Sequence, residues 1–339
     1  MAEVPEPTKG IVLVTGGTGA VGPGVVQALH AAGYCVRILA LDITEDGLLP
    51  EGTEVRVGDV TDFAAVKRAM EGCELVVHLA ALLHILDPPA ALRQKYEDIN
   101  VGGTAMVVET AVRLGVKRVV LFSTIAVYGE SAGRIITEES TPHPDTFYAQ
   151  TKLRAEKIVL DSKRSDGQLL GTVLRLGAVY GSRIKGNYRR LLQALARGRF
   201  IPIGRGQNRR TLIYERDVAR AAMLAARHPS AAGRIYNVSD GQFHTLREII
   251  AAICESLGRS TPRLFLPIGP VRLLAGILED MGRVAGLSLH FGRATVNKYT
   301  EDIAVSSERI QTELGFVPQY NLSAGWRETI QEMRQAGAL

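Results

Sequence analysis

Cysteine is scarce: Cys35, Cys73 and Cys254 are the only three in 339 residues. An odd, scattered set with no CxxC pair argues against a disulfide framework and fits a reducing cytoplasm. Charge of one sign is lacking too. Forty Lys+Arg face 35 Asp+Glu, a net of +5. That is too mild to demand nucleic acid, though it suits a phosphate-bearing ligand. No run approaches the ~20 apolar residues of a membrane-crossing helix. The most apolar stretch, Leu264–Phe291, is interrupted by Arg272, Glu279, Asp280 and Arg283. It reads as one or two amphipathic helices packed on the core or on another subunit, with a membrane-surface role as the lesser alternative. The opening Met1–Pro7 is acidic and proline-rich, unlike the basic start of a signal peptide. A cytoplasmic protein without a membrane span, a nucleic-acid partner or a metal is expected.

What is present is an alternation. Short apolar runs at Gly10–Thr15, Val36–Leu41, Glu54–Val57, Leu75–Leu79, Arg118–Phe122 and Leu170–Leu176 read as buried strands. Helical patterns lie between them at Val21–Ala32, Asp62–Met70, Ala90–Leu114 and Phe147–Asp161. This predicts an α/β fold, a doubly wound parallel sheet with chemistry at the carboxyl ends of its strands. Beyond Gly181 the elements shorten, with helices near 187–197, 215–227, 245–257 and 323–335. Tyr236-Asn237-Val238 reads as a strand returning to the main sheet. The expected division is a nucleotide-binding domain at 1–181, with a return near 211–241. A smaller mixed α/β substrate-binding domain takes 182–210 and 242–339.

The first strand runs into Thr15-Gly16-Gly17-Thr18-Gly19-Ala20-Val21-Gly22. In such a turn Gly16 permits the bend, Gly19 lets backbone approach a pyrophosphate, and Gly22 lets helix pack on strand. The helix that follows offers N–H donors and its positive end to the phosphates, contacted first at Ala20 and Val21. Asp42 lies 20 residues past Gly22. A carboxylate there binds a ribose 2′-hydroxyl and repels a 2′-phosphate, which favours NAD over NADP; otherwise it is a solvated loop residue. Asp59, closing the third strand, either meets the adenine or caps the next helix.

Tyr148-Ala-Gln-Thr-Lys152 places a phenol and an ammonium about one helical turn apart, on one face. An unperturbed phenol is a poor base at neutral pH, and a neighbouring cation favours the phenolate. Ser123 and Thr124 end the fifth strand, where sheet topology puts a substrate oxygen. Thr124 is the expected hydrogen-bond donor to that oxygen, Tyr148 the proton carrier, and Lys152 the group that polarises the phenol and holds the nicotinamide ribose. Asn100 joins the proton relay or is a buried structural amide.

These pieces resemble the extended short-chain dehydrogenase/reductases, which include nucleotide-sugar epimerases, dehydratases and reductases. The resemblance runs in order through Thr15–Gly22, Gly58-Asp59-Val60, His78-Leu79-Ala80-Ala81, Asn100–Thr104, Ser123–Gly129, Tyr148–Lys152, Arg175–Gly181 and Arg210–Asp217, with Leu314-Gly315-Phe316-Val317-Pro318 near the end. It implies NAD as cofactor, held additionally by Val60, Leu79, Ala80, Ala81 and Asn100, and a homodimer built from helices 90–114 and 147–161. Sugar dehydratases of the family carry Asp-Glu after the catalytic Thr, and decarboxylases keep a Glu. Here Ile125-Ala126 stand there, which disfavours both reactions.

Epimerisation needs no extra acid, and the resemblance implies a UDP-sugar 4-epimerase working through a transient 4-keto sugar. Asn187, in Gly186-Asn187-Tyr188, and Arg210 are the implied diphosphate ligands. Ala178 replaces an Asn of the UDP-galactose enzymes, and their second diphosphate Arg has no clear match near Val296; Arg293 and Lys298 are the substitutes. His84 sits near the nicotinamide side or packs in a loop. Arg199, Arg205, Arg209 and Arg216 are read as a solvated basic face. The alternatives are a reductase or dehydrogenase of a nucleotide 4-keto sugar or a sterol- or flavonoid-type alcohol, and a non-catalytic cofactor sensor.

Overall fold

The computed structural model describes residues 9–43, 47–83, 85, 88–284 and 292–339. His84, the opening Met1–Pro7 and the end of the Leu264–Phe291 stretch lie outside them. In chain order the first half comprises β1 (Lys9–Thr15), α1 (Gly22–Ala31), β2 (Tyr34–Ala40), β3 (Glu54–Val57), α2 (Phe63–Met70), β4 (Cys73–His78), α3 (Ala90–Tyr96), α4 (Thr104–Arg113), β5 (Arg118–Thr124), α5 (Phe147–Asp161) and β6 (Gly171–Leu176). There follow β7 (Ala178–Tyr180), α6 (Asn187–Ala196), β8 (Arg209–Arg210), β9 (Leu212–Tyr214), α7 (Glu215–Arg227), β10 (Ile235–Val238), β11 (His244–Thr245) and α8 (Leu246–Leu257). Last come α9 (Ile268–Val284), α10 (Arg293–Thr300), α11 (Glu308–Leu314) and α12 (Leu322–Gln335).

Seven strands form one parallel sheet in the order β10-β6-β5-β4-β1-β2-β3. It is the doubly wound Rossmann sheet expected, and its order reverses beside β1, where such sheets bind ligands. The central strands are apolar on both faces because helices cover both. Val12, Val14 and Val77 pack toward α1 and α7, while Leu13 and Val76 pack toward α2 and α4. Tyr236–Val238 does return, pairing with Val173–Leu176 of β6.

A second core gathers Tyr180, Leu192, Tyr214, Ile253 and Trp326. Trp326 stacks on Tyr180 with ring centres 4.6 Å apart. Buried Asp217 ties this lobe to the C-terminal segment by accepting from the N–H groups of Gln319 and Tyr320.

Two expectations change in detail. The pattern over 90–114 predicts one regular helix; a widened turn with i→i+5 bonding, Glu97–Gly103, separates α3 from α4. Such turns gather at functional positions, and Asn100 stands in this one. Asp62, not Asp59, caps α2 through the N–H of Ala64 at 2.9 Å. Asp59 instead accepts from Thr61 N–H. The helices expected to form a dimer face point charge outward, with Arg154 of α5 pairing with Glu97 at 2.6 Å.

Candidate active site

The glycine turn is built for close approach. Gly16 has φ +69°, and an added Cβ would lie 2.8 Å from the Ala80 backbone nitrogen. On Gly22 a Cβ would lie 2.1 Å from the Gly17 carbonyl oxygen, so the turn packs straight onto α1. The first turn of α1 has no side-chain cap and no acidic residue. Its N–H groups and dipole are therefore left for an anion. Ala20 and Val21 border a cleft of about 440 Å³ that also reaches Arg183 and Arg189. Asp42 lies two residues beyond β2 with its side chain in solvent. Val60 is buried against Gly103, and Leu79, Ala80 and Ala81 follow β4, the Leu79 and Ala80 backbone lying against Gly16. These residues fit a dinucleotide: a turn no larger side chain could line, an uncapped helix start, and a carboxylate at the end of β2.

Beside the turn lies a polar chain that the sequence reading missed. The Thr15 hydroxyl is 2.6 Å from His78 Nδ1, and His78 Nε2 is 3.1 Å from Thr104 Oγ1. Thr104 donates to the Asn100 carbonyl at 2.6 Å. Its oxygen must therefore accept from His78, which assigns the ring proton to Nε2 and leaves Nδ1 to accept from Thr15. Burial, aided by the nearby Lys152 ammonium, pushes His78 down to about 3. It is a neutral strut at the end of β4. Asn100 is likewise committed: its Oδ1 accepts from Leu82 N–H at 2.8 Å, and its Nδ2 donates to Thr151 Oγ1 at 3.1 Å. Of the two roles open to it, the buried amide is the one the geometry displays.

The helix carrying the Tyr/Lys pair begins with a cap, Thr146 accepting from Ala149 N–H. Tyr148, Lys152 and Glu156 follow at four-residue steps on one face, each ~6 Å along the axis. Glu156 fixes this face to the sheet. It accepts from Ser123 Oγ of β5 and forms a two-pronged pair with Arg175 of β6, Nη2 lying 2.6 Å from Oε2. Both charges are almost wholly buried. Arg175 lies under the ring of Tyr128 at 4.7 Å, and Tyr128 donates to Asn237 Oδ1. With Glu156 held beside Ser123, the two preceding turns of α5 carry Lys152 and then Tyr148 toward the carboxyl end of β5. Thr124 shapes the short helical turn after β5 by accepting from Ala126 N–H at 3.2 Å.

Electrostatics differ from expectation. A cation beside Tyr148 was expected to ease its ionisation. In the structure burial dominates and pushes the phenol up to about 12, with the Tyr96 phenol adding to it. Burial also lowers Lys152 to about 8, opposed by Glu156. For each group the hydration lost outweighs the charges around it. Tyr96 sets its ring edge-on to Tyr148 at 6.3 Å and binds the loop after β4, accepting from Ile85 N–H and donating to the Leu83 carbonyl.

The second lobe supplies the remaining candidates. Asn187 is exposed at the start of α6, where Gly186 holds the cap position. Arg210 is not a loose cation. Its Nη2 donates to the carbonyls of Lys298 and Tyr299 at 2.7 and 2.8 Å, and Glu301 lies 3.7 Å from Nη1. Burial raises the phenol of Tyr188, next to Asn187, and the Arg210 charge opposes the rise. Of the two substitute cations, Lys298 stands near Arg210, paired with Glu301 and Asp145. Arg293 is turned onto Asp280 of α9 instead. The expected basic face also divides. Arg209 is bound to Asp302, and Arg216 to Glu332 and the Tyr320 hydroxyl, while Arg199 and Arg205 stay exposed. Among the described residues no cluster of metal-ligating side chains occurs.

Comparison with known proteins agrees with this construction. The sequence profile of the NAD dependent epimerase/dehydratase family matches residues 12–239. An N-acetyl-α-D-glucosaminyl-diphospho-ditrans,octacis-undecaprenol 4-epimerase of Escherichia coli O157:H7 is 28% identical, over 94% of each chain. A UDP-glucose 4-epimerase of Vibrio cholerae is 28% identical over 96% of each. The solved structure of MoeE5 in complex with UDP-glucose and NAD superposes with a TM-score of 0.76 at 26% identity, covering 96% of this chain and 99% of that one. With its parallel Rossmann sheet, dinucleotide turn and Tyr/Lys helix, this chain belongs to the NAD-dependent epimerase/dehydratase family.

Proposed function

We propose that the protein inverts the C4 hydroxyl of a diphosphate-linked hexose or N-acetylhexosamine, with UDP as the carrier. The observation that carries the reading is the Tyr148–Lys152–Glu156 face clamped to Ser123 and Arg175, opposite a dinucleotide turn. Tyr148 takes the proton from the sugar hydroxyl and later returns it. Thr124 donates to the same oxygen and holds it in line. Lys152 stabilises the Tyr148 phenolate that accepts this proton, and binds the nicotinamide ribose. Asn187 and Arg210 grip the diphosphate, the Arg210 fork being oriented in advance by the carbonyls of Lys298 and Tyr299. Bound NAD supplies the hydride acceptor and donor for C4. The chain acts in the cytoplasm, and a homodimer is its proposed assembly.

No carboxylate follows Thr124, since Ile125 and Ala126 occupy those positions; water elimination and decarboxylation therefore lack their acid or base. A second reading keeps the chemistry and replaces the nucleoside with a polyprenyl carrier, as in the name of the E. coli relative. An exposed apolar surface around α9 favours it. Incubating purified protein with UDP-glucose, UDP-N-acetylglucosamine and polyprenyl-diphospho-N-acetylglucosamine, and reading C4 configuration by NMR, tests both. Interconversion of C4 epimers without added NAD supports epimerisation. Steady NAD(P)H turnover with a keto substrate, and no epimer, assigns the alternative reductase or dehydrogenase.

A further inference from the structure

Nine of the twenty large apolar side chains exposed among the described residues fall in one segment, 264–281. Leu264 and Phe265 precede α9, and Leu273, Leu274, Ile277 and Met281 form a stripe along it. Leu264, Leu273 and Met281 are 76%, 67% and 63% exposed. The other side of α9 is packed: Ala275 and Gly276 are buried, and a Cβ on Gly276 would lie 2.4 Å from the Arg293 side chain. The segment is thus amphipathic as expected, with packing on the fold confined to one side. The apolar face is turned away from the fold because α10 covers the opposite one.

The unpaired charges described around this face are basic. Arg263 and Arg272 are exposed, with no carboxylate partner among the described residues. Arg205 lies over the Phe265 ring at 5.7 Å. Ile201 and Arg199 are exposed on the neighbouring segment, which pairs with this one through Ile203 and Leu266. The two acids of α9 are engaged by Arg293: Glu279 accepts from its backbone N–H, and the half-exposed Asp280 pairs with its guanidinium at 2.8 Å.

A second copy placed on this face would bring arginine against arginine. An anionic bilayer satisfies both features, since apolar side chains enter the acyl boundary while guanidinium groups stay at phosphate level. At 17 residues α9 cannot cross a membrane, but it can lie in the interface. It also adjoins the site. α10 packs on α9, carries the Lys298 and Tyr299 carbonyls that hold Arg210, and reaches Asp145, three residues before Tyr148, through Lys298 at 3.5 Å.

We propose that the 264–281 face docks the protein peripherally on an anionic lipid surface and holds the active site at the level of the headgroups. The docking does not depend on which carrier the sugar has.

The test is co-sedimentation of the full chain with phosphatidylcholine vesicles, with and without 30 mol% phosphatidylglycerol. Binding to the anionic vesicles is expected, and Leu274→Glu/Ile277→Glu should reduce it more than tenfold. Each basic side chain near an anionic surface adds about fivefold, so Arg263→Gln/Arg272→Gln should weaken the anionic preference roughly 25-fold. That variant leaves the apolar stripe intact, so the proposal stays testable if the glutamate variant fails to fold. Wild-type protein left in the supernatant with both vesicle types overturns the proposal. So does undiminished binding by both variants. A wild-type dimer that becomes monomeric with Leu274→Glu/Ile277→Glu, without vesicle binding, overturns it in favour of a second copy.

Discussion

Lys152→Met should make the protein more stable while abolishing turnover. Lys152 is 2% exposed, and burial lowers it from 10.5 to about 8. One pKa unit corresponds to ~1.4 kcal/mol, so holding the ammonium in the folded state costs on the order of 3 kcal/mol. Met keeps a stem of similar length and removes the charge. Glu156 is not orphaned, because Arg175 still pairs with it.

The sign follows from linkage. The folded pKa is depressed, so between about 8 and 10.5 the unfolded chain binds more protons and wild-type stability rises with pH. Below about 8 the penalty is present in full, and above 10.5 it is gone. The variant's advantage should therefore be greatest at pH 7 and shrink from pH 8 upward. With an unfolding entropy of ~2.1 cal/mol/K per residue, a gain of ~3 kcal/mol corresponds to about 4 °C in Tm. Urea unfolding and thermal scans from pH 6.5 to 9.5 read both effects. A variant no more stable than wild type at pH 7, or a gain that persists unchanged to pH 9.5, refutes the reasoning.

Three other outcomes follow from the same geometry. Arg175→Met leaves the Glu156 carboxylate buried without its partner and should lose roughly 3–5 kcal/mol of stability; adding Glu156→Gln should restore much of it, and urea midpoints for the single and double variants decide. Arg210→Ala should raise KM for a diphosphate-linked sugar by about 10- to 100-fold, as expected for a lost charge-assisted contact, with kcat changing much less; steady-state kinetics showing no KM change removes the diphosphate role. The kcat/KM of the free enzyme should fall as pH rises through about 8, because Lys152 then loses its proton, and a profile flat to pH 9.5 contradicts this.

The parallel sheet was legible because its strands are short apolar runs between turn-forming glycines, and covered strands need no alternation. Val12–Val14 and Val76-Val77 show this. The glycine turn and the Tyr148/Lys152 spacing were legible because local geometry alone sets them. The widened turn at Asn100 was not, since its helix keeps an ordinary apolar pattern on either side. The Glu156–Arg175 clamp was half visible: Glu156 continues the four-residue step from Tyr148 and Lys152, but its partner lies on another strand. The Tyr148 phenol was misjudged because spacing reveals a neighbouring cation and not the water both groups lose. Arg210 was read as a diphosphate ligand and Arg293 as a substitute for a second one, and only the chain around residues 276–301 shows what holds their side chains. The exposure of α9 was hidden for a related reason: an amphipathic pattern marks a face without saying what meets it.

The most direct measurement of the central claim is epimerisation of UDP-glucose in D₂O, followed by proton NMR without added cofactor, for wild type and Tyr148→Phe. Wild type should yield the C4 epimer with its C4 hydrogen retained, because the hydrogen leaves and returns as hydride while Tyr148 handles only the hydroxyl proton. Tyr148→Phe should lose at least ~100-fold in rate, in the range of a positioned general base, while still binding NAD. Deuterium at C4, or a Tyr148→Phe variant as fast as wild type, would contradict the account.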